Sequence, residues 1–513
     1  MRRFTLVPLM ALMLIVLAAC GGSSSSSDGE IDPDGSIAVG IVFGPNTLDP
    51  HMATSELAAQ FFGLWGIYDR LFTVGADGVV KGELVDDWTY SDDGNSLTLK
   101  LREDVTFRDD TPLDAAAVKV NLDRARTLES PVIKGRMSVI KDVSVASPYE
   151  VVLTLASPVP HVPAILVECA GFIMHPDLVT DGDPATETNG SGPYVLKSFV
   201  PGESLTMERD NAHYWDPEAA KIKTITYQTF PDQQAYINAV KSGELDLGRY
   251  QASQAKNFAG SSDLNIETID QGIAVELNFN RDVKPFDNLQ VRQAINYAID
   301  RTSIVEAFFP NSTPKTQYYN EGRPGHDPAV GKIWTFDQDR AKDLLADGGF
   351  PNGVDLGVIN VSSAAPPGLA DVVQQQLAAV GIKSSLQTVD AGQISPQFAE
   401  GKAGSNIGFT VASTHPYNGA VYRWLVPSFN PAGATPEFSQ ILGAATSTAT
   451  PEQQEETYKA LDRFVVENAW AAPLVWEGNP WVMSKRVKGF TAEANLSPVL
   501  GPLDLRYLSV TKG

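Results

Sequence analysis

Apolar and polar positions along the chain alternate in two periods. From Leu97 to Leu101, apolar and polar residues take turns, the signature of a half-buried strand. Val151–Leu155 is a second apolar stretch of strand length, stopped by Pro158, and Ser36–Phe43 is a third, ending at Gly44-Pro45. The period then changes. Val291, Ala294, Ile295, Ala298 and Ile299 fall on one face of a helix, and Asp287 stands where its N-cap is expected. Leu369–Val380 reads as a helix ended by Gly381, followed by a strand over Ile382–Val389. Thr450-Pro451-Glu452-Gln453 has the spacing of a capping box with Pro at the first helical position, opening a helix to about Asn468. Strands alternating with helices predict an α/β protein. The loops richest in Gly, Pro and Asn lie near 181–193 and 310–332, and no repeat runs through the chain.

The first residues follow a different pattern. Arg2 and Arg3 precede an apolar run from Phe4 to Leu17, then Ala18, Ala19 and Cys20. A basic start, a short apolar stretch and small residues make a secretory signal. The run contains Pro8 and is shorter than the ~20 residues a spanning helix needs. A cysteine directly after the small residues resembles a bacterial lipobox. That resemblance implies lipidation of Cys20 and a chain anchored to the cell membrane on its extracytoplasmic face. Residues 1–19 are then the signal peptide and 20–35, rich in Gly, Ser and Asp, a flexible tether. Glu30, Asp32 and Asp34 have the spacing that opens a calcium loop, but its twelfth position is Ile41, so no metal site is expected.

Composition narrows the class. At 513 residues the chain is too long for one ordinary domain, and 43% apolar with 20% charged residues suits a globular body. The net charge is −23, and −25 once Arg2 and Arg3 are removed. Such a surface repels phosphate backbones and anionic lipid, which excludes nucleic acid as a partner and leaves the lipid as the membrane link. With Cys20 lipidated, Cys169 has no intrachain partner, and Glu168 beside it disfavours a thiolate. A buried, inert Cys169 is expected.

Enzyme signatures are missing. The chain has no Gly-x-Ser-x-Gly elbow, no phosphate loop and no Gly-x-Gly-x-x-Gly. None of the histidines, His51, His161, His175, His213, His326 and His415, is three or four residues from another, so a helical zinc pair is absent. Binding without a cofactor is the expectation. An exported hydrolase, or a sensory surface protein on the same scaffold, is the alternative.

The order of short motifs supplies more. Thr47-Leu48-Asp49-Pro50-His51 precedes Tyr68-Asp69-Arg70-Leu71-Phe72, Leu84-Val85-Asp86-Asp87-Trp88 and a strand running into Val105-Thr106-Phe107-Arg108-Asp109. Asn189-Gly190-Ser191-Gly192-Pro193-Tyr194, Asn211-Ala212-His213-Tyr214-Trp215 and Leu277-Asn278-Phe279-Asn280 follow, with Pro285-Phe286-Asp287-Asn288 and Val291-Arg292-Gln293-Ala294-Ile295 after them. In order and spacing, from about residue 37 to 500, these closely resemble solute-binding protein family 5, the dipeptide-, oligopeptide- and nickel-type receptors of ABC importers. Most of these residues have structural uses. Gly192-Pro193 suits a tight turn, and Trp88, Phe107 and Trp215 suit packing.

The resemblance implies a type II periplasmic-binding-protein fold with three lobes. Lobe I would comprise 36–70, 190–273 and 478–513; lobe II, 71–189, would be inserted in it; lobe III would span 274–477. Strands crossing near 271–278 and 474–480 would form the hinge. A monomer would close over a small organic or peptide ligand and present it to permease subunits, with separate ATPase subunits supplying energy. In peptide-binding members an acidic residue in a lobe III loop pairs with the ligand's ammonium. Here no Asp or Glu lies between Glu400 and Glu437. The same stretch offers His415, Tyr417, Tyr422, Arg423 and Trp424, a set suited to a flat or anionic ligand. Trp476, Glu477 and Asn278 near the expected hinge complete the candidate site, and Glu477 facing the cleft would replace the missing acid.

Overall fold

A computed structural model describes residues 29–512, except 43, 53–59, 76–78, 131–132, 168, 211–213, 320, 412–415, 427, 447 and 491–503. Cys20 and the signal segment lie outside the described residues. The architecture is mixed α/β. Its main sheet has eleven strands in the order Ile382–Val389, Val354–Ser362, Ser405–Val411, Leu264–Phe279, Ala471–Ser484, Leu247–Arg249, Ser36–Ile41, Thr224–Thr229, Ser204–Arg209 and Tyr194–Val200, with Thr313–Pro314 added beside Ala471–Ser484. A separate four-stranded antiparallel sheet, Val85–Tyr90, Ser96–Leu101, Glu150–Leu155 and Ile140–Ser147, comes from the chain between them. Two long strands at the middle of the main sheet pair antiparallel over most of their length. Leu264 opposes Ser484 at one end and Asn278 opposes Ala471 at the other.

Several elements follow the sequence pattern closely. Leu97, Leu99 and Leu101 are buried on one face of their strand, opposite the Val151 and Leu153 strand. The strand Ile382–Val389 and the helix Pro451–Glu467 form where periodicity places them, and the Thr450–Gln453 capping box closes in both directions. One cap differs. The helix Leu289–Ala298 is capped by Asn288, whose Oδ1 accepts from the N–H groups of Gln290 and Val291, and not by Asp287. Both residue types cap well, and the backbone starts the helix one position later.

The tether is also shorter than expected. Ile31 bridges to Thr511, the Asp32 N–H donates to the Val510 carbonyl, and Glu30 and Asp34 pair with Lys512 and Lys223. Residues 30–35 therefore belong to the folded body, because edge backbone groups near the C-terminus are there to receive them. Cys169 is a buried thiol, as expected.

Several motifs that carried the resemblance meet at one buried carboxylate. Asp69 accepts from Ser191 Oγ at 2.7 Å, Tyr214 OH at 2.7 Å, Trp215 Nε1 at 3.3 Å and Arg506 Nη1 at 3.3 Å. Glu83 pairs with Arg70 at 2.8 Å and Arg506 at 3.2 Å, and Asp504 pairs with Arg506 at 2.7 Å. Burial, then the neighbouring Glu83, pushes the Asp69 carboxyl above its usual range. Gly192 is required there by close approach, since a Cβ on it would lie 2.5 Å from the Gly66 carbonyl oxygen. Phe107 is buried edge-on to His175, and Trp88 packs edge-on to Phe72. These motifs therefore build the scaffold.

Candidate functional site

The candidate residues sit where the two long strands meet the helical part of the chain's second half. Ala274-Val275-Glu276-Leu277-Asn278-Phe279 is an apolar strand interrupted at two positions that share a face. Glu276 and Asn278 are both buried. The short strand Thr313–Pro314 pairs with Trp476 and Val475, and this delivers Lys315 to Glu276. The helix Pro416–Leu425 brings Arg423 from the other side.

Arg423 reaches Glu276 Oε2 at 2.8 Å through Nη2, Asn278 Oδ1 at 2.5 Å and the Phe429 carbonyl at 2.8 Å. Lys315 Nζ donates to Glu276 Oε1, and Asn278 Nδ2 donates to Asn406 Oδ1 at 3.0 Å. The guanidinium of Arg423 lies 4.1 Å from the Trp424 ring, and the Lys315 ammonium lies 3.9 Å from that of Trp476. Burial alone would raise the Glu276 carboxyl, but Lys315 and Arg423 together hold it down to about 2. Behind Lys315, Asp462 accepts from the Tyr318 N–H at 2.8 Å, and burial pushes its carboxyl up to about 8.

Of the candidate residues, Arg423, Trp424, Trp476 and Asn278 lie close together in the structure, but Arg423 is not the open cation expected. Arg423, 1% exposed, spends its guanidinium on Glu276, Asn278 and a backbone carbonyl rather than presenting it openly to an anion. Its acidic partner, Glu276, comes from a strand 147 residues earlier in the chain and is spent on Arg423 and Lys315. Neither Glu276 nor Lys315 was singled out from sequence. The available signal was a charged residue inside an otherwise buried strand. A cavity of about 20 Å³ lined by Glu276, Lys315, Gln317, Tyr318, Trp334 and Trp424 adjoins them, room for one water rather than a solute.

Tyr417 lies apart from this network, stacked on His161 with ring centroids 4.4 Å apart. Glu477 points to the other side of its strand from Trp476, where it accepts from the Ala252 N–H at 3.2 Å. Burial raises its carboxyl, opposed by that hydrogen bond and by Arg249. His415 and the side chain of Tyr422 lie outside the described residues.

This fold, with a buried charge network beside two long antiparallel strands, is that of the type II periplasmic binding proteins. The model of the bacterial extracellular solute-binding proteins, family 5 middle region, matches residues 79–432, and the chain belongs to that family. It is a substrate-binding protein of the ABC-importer kind. Among relatives, the glutathione-binding protein GsiB of Salmonella paratyphi A is 29% identical over 479 residues, covering 87% of each chain. Among solved structures, the substrate-binding protein CtaP of Listeria monocytogenes superimposes with a TM-score of 0.81 at 21% identity, covering 93% of this chain and 100% of its own. The periplasmic binding protein DppA of Helicobacter pylori, in complex with the peptide STSA, gives 0.77 at 20%, covering 93% and 98%. The family and these relatives are binding proteins. Among the described residues, no helix is long and apolar enough to cross a membrane.

Proposed function

We propose that this receptor captures a small peptide-like solute through its carboxylates rather than through an ammonium group. The observation that carries this reading is the charge balance around Glu276. Two buried cations, Lys315 and Arg423, share that single carboxylate, and Asp462 beside them stays protonated up to about pH 8. The interior next to the cleft therefore holds an excess of positive charge, which favours an anion. Glu477, the other candidate acid, is buried, and its carboxyl is raised by that burial. Neither acid is an open partner for an ammonium. The glutathione-binding relatives make glutathione, a small peptide with two carboxylates, the first probe.

In this reading the lobes I, II and III have the boundaries expected from the resemblance. Lobe III moves on the two crossing strands, and Tyr417, Trp424, Trp476 and their neighbours border the cleft. Delivery to permease and ATPase subunits follows. Cys20 carries the lipid. Because residues 30–35 are docked, the linker is about nine residues and reaches at most ~30 Å. That keeps a monomeric receptor at the membrane surface and raises its effective concentration at the permease.

Calorimetric titration with glutathione, N-acetyl-glutathione and the glutathione C-terminal amide tests the ligand class. N-acetylation is expected to change affinity less than about threefold, and amidation to weaken it more than about tenfold, because it removes a negative charge that the positive interior favours. The reverse ranking would refute carboxylate recognition.

A further inference from the structure

One contact joins the proposed lobe II to the proposed lobe III without involving the Glu276 network. His161 ends a turn in the four-stranded-sheet body, at the N-cap of the short helix Val162–Ile165. Its ring lies nearly parallel to that of Tyr417, with an interplanar angle of 18° and centroids 4.4 Å apart. Each ring stands on firm ground. Val162 and Leu166 behind His161 are fully buried in the core that includes Leu97, Leu99 and Phe172. Tyr417 opens the helix Pro416–Leu425, and Ala420 and Trp424 of that helix pack with Tyr318, Phe438 and Trp470. Tyr417 is in contact with both cores. Burial, then Tyr417, Glu455 and Tyr90, push the Tyr458 hydroxyl up.

We infer that the His161–Tyr417 stack is a clasp between lobes II and III that stabilises the closed receptor, with His161 as a positioning residue for ligand retention. The inference rests on the solute-receptor reading of the fold. The stack exists only when the two bodies are together, so its free energy belongs to the closed state alone. Aromatic pairs of this geometry contribute enough to shift a two-state equilibrium about 2- to 12-fold. A clasp of that size biases closure without locking the cleft, and ligand affinity scales with the fraction of molecules able to close. The face-to-face spacing leaves no room for a third ring between the two. A ligand therefore lies beside the stack.

Small-angle X-ray scattering of the ligand-free protein reads the clasp directly, as the ratio of open to compact forms. His161→Ala is expected to raise that ratio about 2- to 12-fold, and His161→Phe, which keeps a ring, to restore the wild-type value. Tyr417→Ala should match His161→Ala, and the double variant should go no further than either alone. Thermal unfolding of each variant separates opening from misfolding. Should Tyr417→Ala fold poorly, the His161→Ala and His161→Phe pair decides alone. Identical scattering from wild type and His161→Ala overturns the clasp, as does a ligand-free wild type that is already fully open. Because no ligand is added, this result stands apart from the receptor reading, which fails separately if no small solute co-purifies with the protein in native mass spectrometry.

Discussion

Single residues in this molecule are held in unusual charge states by their surroundings, and Asp462 gives the sharpest test. Its folded carboxyl titrates at about 8, against roughly 3.9 in an unfolded chain. Between those values the folded protein holds a proton that the unfolded chain releases. The resulting stability is complete below about pH 4 and is lost as pH rises through 8. Asp462→Asn keeps an oxygen for the Tyr318 N–H and cannot ionise. Its stability in urea should equal that of wild type near pH 4 and exceed it at pH 8 by on the order of 5 kcal/mol. Parallel curves at both pH values would mean that Asp462 is ionised in the fold. This residue was not legible in the sequence. It sits in the helix Pro451–Glu467, whose other acids, Glu452, Glu455, Glu456 and Glu467, are surface groups. Only packing distinguishes it. The same holds for Arg423, which the sequence offered as an open cation and the fold buries against other side chains. Its partner Glu276 is 147 residues away and no local pattern links them.

Elements were the most legible scale, because caps and periodicity are local. The Thr450–Gln453 box closes as written, whereas the cap at Asn288 moved one residue because two adjacent side chains can both do the work. What sequence could not supply was how the helix Leu289–Ala298 is fixed to the strand Ala471–Ser484. Arg301, just past that helix, is buried and donates to the carbonyls of Pro473 at 2.6 Å, Asn296 at 2.9 Å and Ile299 at 3.3 Å, and to Asn296 Oδ1 at 2.8 Å. Burial lowers its pKa to about 9, and its partners are carbonyl dipoles, two of them at the helix C-terminus where a cation is favoured. Arg292 does similar work on the carbonyls of Phe286, Asn468 and Ala469. A lysine cannot reproduce that fork. Arg301→Lys is expected to cost about 3 kcal/mol in equilibrium unfolding. Because Arg301 reaches Pro473 at the start of a crossing strand, the loss should also speed amide exchange in residues 471–476. Unchanged exchange there would confine Arg301 to its own helix.

The whole molecule depends on segments far apart in the chain that meet at one buried cluster, an arrangement in keeping with what the family resemblance implies. The order of the motifs has a physical reason. Asp69 and Arg70 precede the four-stranded sheet, Glu83 lies at its entry, Ser191, Tyr214 and Trp215 follow it, and Asp504 and Arg506 arrive from the far end. One buried cluster therefore closes two long excursions, and Arg506 touches Asp69, Glu83, Asp504 and Tyr214. Arg506 is absent from every motif that carried the resemblance, since its partners Asp69, Glu83 and Tyr214 lie more than 290 residues away. Removing it takes a buried cation away from Asp69, Glu83 and Asp504 and leaves Arg70 beside Glu83. Losing one member of such a network costs about 3–5 kcal/mol, much of it from the charges left behind. Arg506→Met, which keeps the bulk, should lower stability by that amount in a single cooperative transition. A closed loop releases all its segments together, so protease should gain access to residues 29–35 and to the C-terminal segment at the same denaturant concentration. If only the C-terminal segment frays while the transition midpoint holds, the cluster fastens the chain's end without joining the excursions.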